Sequence, residues 1–118
     1  MVKKAKVIIM GNESQVENRE SIRRDLLMQL TDNGTFGRHF EDLIEDYMAL
    51  WDIKNQLIAD VMIRGVNVFW ENGPSQSGHK KNDSVSELNK TNGQMLKILS
   101  ELGLKPVPID RVDFDDEL

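Results

Sequence analysis

Apolar side chains recur three and four positions apart in three stretches of this chain, the spacing that gathers them on one face of an α-helix. In the first stretch Val16, Ile22, Leu26, Leu27 and Leu30 keep to one side. Ser14 and Glu17 stand at capping-box spacing, which predicts a helix from about Ser14 to about Thr31, ended by Asn33 and Gly34. The second stretch predicts a longer helix from about Phe36 to Arg64, carrying Phe40, Leu43, Ile44, Tyr47, Leu50, Trp51, Leu57, Ile58 and Val61. Glu41, Asp42, Glu45 and Asp46 crowd its first turns, where carboxylates favour the helix dipole, and Gly65 closes it. The third helix is predicted from Ser84, again with a glutamate (Glu87) at capping-box spacing. Val85, Leu88, Asn92, Met95, Leu99 and Leu102 then alternate like the a and d positions of a heptad seam, with Asn92 as its polar member. Gly103 and Pro106 stop it.

Two stretches break the helical period. Residues 1–11 read as a basic arm whose Val7 to Met10 run is β-prone and is closed by Gly11. Val66 to Trp70 alternates like a strand, and a lone strand needs a partner, for which residues 6–10 or another subunit are the candidates. Glu71 to Asn82, rich in Gly, Ser and Pro, reads as a flexible loop. A helix over 36–64 is roughly 42 Å long at the usual rise. Twice the radius of gyration of a compact chain this size is only about 27 Å. Such a helix is expected to project or to pack against a neighbouring subunit. The pattern predicts a mainly α fold: a helical hairpin or bundle with one long central helix and a minor β-strand or hairpin. At 118 residues it forms one domain, with an arm (1–11), two helices (12–64), strand and loop (65–82), a last helix (83–104) and an acidic tail (105–118).

Charge changes this picture little until its distribution is considered. The net charge is −5, but residues 106–118 set Arg111 against Asp110, Asp113, Asp115, Asp116 and Glu117, which leaves −1 on the rest. An acidic total therefore does not exclude nucleic acid as a partner. With no cysteine, disulfides and thiolate metal sites are excluded. No apolar run approaches the ~20 residues of a membrane span, and the run after Lys6 is too short for a signal peptide. Four Asn-x-Ser/Thr triplets, from Asn12, Asn33, Asn82 and Asn89, are then chance matches, and the expected compartment is a cytoplasm.

Candidate chemistry is sparse. Gly73 to Lys80 (GPSQSGHK) nearly spells a phosphate-binding loop, but His79 stands where the lysine belongs and Lys80 is followed by Lys81, not a hydroxyl. His39, Asp42 and Asp46 could share a helix face as a metal site or simply form a polar face. No nucleophile has an evident base, so no catalytic residue, metal or cofactor is expected. Arg19, Arg23 and Arg24 lie within about one and a half turns. With Lys3, Lys4 and Lys6 they form either a strip for phosphates or a solvated face paired with Glu17, Glu20 and Asp25. Lys80 and Lys81 are a second basic candidate.

The residues from Lys80 to Val85, Leu88 to Asn92 and Met95 to Leu99, with the ending Glu101 to Pro106, resemble the C-terminal half of a phage terminase small subunit. Asp42 to Trp51 extends the resemblance, which covers roughly residues 36–106 and rests on helix seams and a helix stop. The segment Val107 to Asp110 departs from the Ser/Arg-containing segment often found there. The resemblance implies a non-catalytic protein of the host bacterial cytoplasm that recognises a packaging site on viral double-stranded DNA and forms rings. It would serve a terminase large subunit that holds the ATPase and nuclease. A separate helix-turn-helix domain, present in some relatives, is not expected here. The expected DNA contacts are Lys3, Lys4, Lys6, Arg19, Arg23 and Arg24, then Lys80 and Lys81. The expected subunit interface uses Tyr47, Trp51, Leu57, Leu88, Met95 and Leu99. Two rivals are an oligomeric adaptor that binds proteins only and a small nucleotide or metal enzyme.

Overall fold

Three helices and one β-hairpin follow one another: α1 (Val2–Asp32), α2 (Arg38–Arg64), β1 (Asn67–Glu71), β2 (Ser77–Lys81) and α3 (Asp83–Glu101). This computed structural model describes the backbone of residues 2–104 and 106, with side chains from residue 14 onward. The chain is thus mainly α with a minor antiparallel sheet, as the periodicity predicts.

Glycines stop two of the helices where the sequence places them. Gly34 takes φ 74, and its amide donates to the Thr31 carbonyl at 2.9 Å while that of Thr35 donates to Leu30 at 3.1 Å. Gly103 (φ 70) repeats the motif, its amide donating to Ser100 at 3.0 Å and that of Leu104 to Leu99 at 2.9 Å. A left-handed residue turns the chain so that two orphan carbonyls are satisfied at once. At the second site the turn also drives Leu104 into the core.

α1 and α3 each pack on α2. Ile44 and Met48 are fully enclosed and Trp51 nearly so, covered by Leu26 and Leu30 from α1, Met95 from α3, and Leu102 and Leu104 beyond it. Among the described side chains, α1 joins this core only from Ile22 to Leu30. The molecule is long: its radius of gyration is 20.1 Å and its extents are 68 × 39 × 38 Å. A compact chain of this size would have a radius of gyration near about 13 Å.

Five features differ from the sequence reading. The backbone of residues 7–10 is helical, and α1, with 31 residues, is longer than α2, with 27. Helix propagation adds a hydrogen bond per residue, and these residues continue a helix already formed downstream. Strand 67–71 finds its partner in Ser77–Lys81, within the stretch read as loop, with Phe69 opposite His79 and Trp70 opposite Gly78. No alternation is visible in Ser-Gly-His-Lys-Lys because those side chains are small or polar. α3 is capped by Asn82, which accepts from the Ser84 amide at 3.0 Å, so Ser84 is not the cap. Finally, Thr91 is buried and Asn92 exposed, because a straight helix of 3.6 residues per turn drifts off a heptad seam.

Candidate nucleic-acid interface

The hairpin leaves the helical body at Gly65 and returns at Asn82, and a polar knot holds this base. Asn82 is buried; its amide nitrogen donates to the Gly65 carbonyl at 3.0 Å and to Asp60 at 3.1 Å. Its oxygen accepts from Arg64 Nη2 at 3.1 Å as well as from Ser84. Asp60 accepts two further bonds from Arg64, at 2.6 and 2.7 Å, and one from the Ser84 hydroxyl at 2.6 Å. Hydrogen bonds from Arg64, then Ser84 and Asn82, hold the Asp60 carboxyl well below the usual carboxylate range. This network ties the end of α2 to the start of α3 and sets the hairpin's departure angle.

Beyond the knot, cross-strand pairing sorts the hairpin side chains by face. Asn67, Phe69 and Glu71 share one face with Lys81, His79 and Ser77, while Val68 and Trp70 share the other with Lys80 and Gly78. Phe69 is 60 % exposed and meets His79 edge-on at 5.6 Å. The Trp70 indole lies across Gly78, where a Cβ would come within 3.2 Å of Nε1, so this close approach favours glycine. Lys80 and Lys81 are exposed, and among the described residues neither has a carboxylate partner.

The arginines of α1 are placed differently. Arg19 donates to Asp52 through Nε at 2.8 Å and Nη2 at 3.1 Å. Arg23 donates to Glu45 at 2.8 Å and to Glu20 at 3.2 Å, and its hydrogen bonds hold the Glu45 carboxyl below its ordinary value. These pairs lace α1 to α2, and a phosphate competes with the carboxylates for either guanidinium. Arg24 is exposed and makes no ion pair among the described residues. The side chains of Lys3, Lys4 and Lys6 lie outside the described residues.

Of the six residues expected at a subunit interface, Trp51 and Met95 are buried in the chain's own core. Tyr47, Leu57, Leu88 and Leu99 are half-buried. Large apolar side chains with far more exposure sit elsewhere: Met62 at 81 %, Ile63 at 83 %, Leu96 at 67 % and Val66 at 55 %. The metal and nucleotide candidates do not assemble. His39 stacks on Phe40 at 4.0 Å, and among the described residues no three His, Asp or Glu side chains converge. Gly73 to Lys80 forms the hairpin turn and second strand and does not enter a helix N-terminus, as a phosphate-binding loop must.

Sequence reasoning missed the roles of Asp60, Arg64 and Asn82, and it read the second strand of the hairpin as loop. The preference of asparagine for helix N-caps is a usable signal for Asn82. Nothing in the sequence links Asp60 to residues 22 and 24 positions away. Residues 20–117 match the family model described as phage terminase, small subunit. No curated protein and no solved structure matches the chain.

Proposed function

The chain belongs to the phage terminase small-subunit family, and from that premise we propose that it recognises viral double-stranded DNA at the packaging site. It assembles with copies of itself into a ring and regulates a terminase large subunit, which carries the ATPase and nuclease, in the host bacterial cytoplasm. It is not itself an enzyme and needs no cofactor. The observation that carries this reading is the family match across 20–117. No helix among the described residues is long and apolar enough to cross a membrane.

In this reading the phosphate contacts fall first to Lys80 and Lys81 on the hairpin and Arg24 on α1, which have no carboxylate partner among the described residues, and to Lys3, Lys4 and Lys6. Arg19 and Arg23 are secondary, because Asp52 and Glu45 compete for them. The subunit contact is built from the half-buried Tyr47, Leu57, Leu88 and Leu99 and extended by Met62, Ile63 and Leu96, while Trp51 and Met95 stiffen the body from inside. The acidic tail, with Phe114, is available to the large subunit.

Light scattering on a sizing column, followed by retention on a DNA column across a salt gradient, tests the reading. A defined multimer with salt-dependent retention supports it. The pairing of Arg19 and Arg23 favours one rival, an adaptor that binds proteins only, and a multimer with no DNA retention at low salt would establish that rival instead.

A further inference from the structure

We propose that the β1–β2 hairpin is the element that enters duplex DNA, with Lys80 and Lys81 on phosphates and Phe69 and His79 against the groove. This rests on the DNA-binding reading above and names the surface that performs it. Four observations converge on it.

The first is charge. From Val66 to Asn82 the only carboxylate is Glu71, at the far end of β1, whereas Lys80 and Lys81 are adjacent, exposed and unpaired among the described residues. The second is shape. A two-stranded antiparallel ribbon is, besides an α-helix, the element that a major groove about 12 Å wide admits, and five-residue strands reach about 17 Å. The third is the register. Lys81 lies on the Phe69–His79 face and Lys80 on the opposite, Trp70 face, and both stand on β2, so together they line one edge of the ribbon. A ribbon lying in a groove has a phosphate strand along each edge, and this placement offers two adjacent cations to the one that runs beside β2. The fourth is rigidity. An isolated hairpin is marginal in water, yet this one is anchored at its base by the Asp60, Arg64, Asn82 and Ser84 knot, which reduces the ordering cost of binding.

The distribution of apolar residues separates this surface from a protein interface. Met62, Ile63 and Val66 cluster at the base, where a second copy can cover them. The strands of the hairpin expose lysine, histidine and aromatic side chains, and lysine is depleted from the cores of protein interfaces. The knot itself is a poor phosphate site, since Arg64 is engaged by Asp60 and Asn82.

The test uses the full chain, a fluorescent DNA duplex titrated at several salt concentrations, and the variants K80Q/K81Q, F69A and, as a control on α3, K97Q. Circular dichroism checks that each variant keeps its helices. K80Q/K81Q is expected to reduce the slope of log affinity against log salt by about 2, close to one for each phosphate no longer neutralised. F69A is expected to weaken binding severalfold at an unchanged slope, and K97Q to leave both unchanged. If the wild-type chain binds and K80Q/K81Q keeps its slope, the hairpin is not the DNA element and only this proposal falls. If the hairpin variants lower the solution mass and leave DNA affinity intact, the hairpin is a subunit contact and the proposal is overturned. A wild-type chain with no salt-dependent binding overturns the DNA reading itself.

Discussion

Asn82 bonds to Asp60, Arg64, Gly65 and Ser84 while only 1 % exposed, so its loss removes the N-cap of α3 and its bonds to the end of α2 and opens a gap at a buried position. Asn82→Ala is expected to destabilise the fold by about 2–3 kcal/mol, read as a lower urea midpoint at an unchanged slope. Met48, fully enclosed by α1, α2 and α3, should cost about 3 kcal/mol as Met48→Ala in the same assay. Asp60 supplies a pH dependence. Its folded-state pKa lies below the unfolded value, so the ionised form stabilises the fold. That contribution is complete above about pH 4 and is lost as pH falls further through the folded value. The stability gap between wild type and Asp60→Asn should therefore narrow between neutral and acid pH. A gap of constant size would show that Asp60 acts through packing alone.

Two glycines separate backbone conformation from packing at the level of elements. Gly93 sits mid-way along α3, where an added Cβ would meet nothing within 4 Å, and it takes no positive φ. Gly93→Ala should stabilise the protein by about 1 kcal/mol, since alanine loses less backbone entropy in a helix. Gly34 also has open space around it, but its φ is 74, so Gly34→Ala should cost about 1 kcal/mol. Thermal melts of the pair should move in opposite directions. The helix stops at Gly34 and Gly103 were legible because a left-handed glycine terminates a helix through local bonds alone. The start of α1 and the strand partner of Asn67–Glu71 were not, because capping-box spacing at Ser14 does not prevent a helix from beginning upstream and a polar strand carries no alternation.

A radius of gyration of 20.1 Å and exposed Met62, Ile63 and Leu96 describe a molecule whose apolar surface is not all covered by its own chain. Replacing Ile63 with Asp is expected to lower the solution mass sharply while the helical circular dichroism stays unchanged, because the side chain is 83 % exposed and carries little internal packing. An unchanged mass would move the subunit contact away from the end of α2. The sequence anticipated an extended shape from helix length, since rise per residue is a local constant. It assigned the length to α2, whereas α1 is the longer helix and, among the described side chains, joins the core only over its second half.

By itself the sequence determined the mainly helical class, the two glycine stops, most of the core stripe from Ile44 to Trp51 and the family resemblance. Each of these is written in local periodicity or in a contiguous motif. Tertiary structure decided the fate of the charges and of the hairpin. Whether Arg19 and Arg23 are free depends on Asp52 and Glu45, which lie 33 and 22 residues away and reach them only when α1 folds back on α2. Likewise the hairpin's stance depends on Asp60 meeting Asn82 and Ser84 across the α2–α3 junction. Side chains far apart in sequence acquire their partners only through packing, and here those partners separate neutralised cations from available ones.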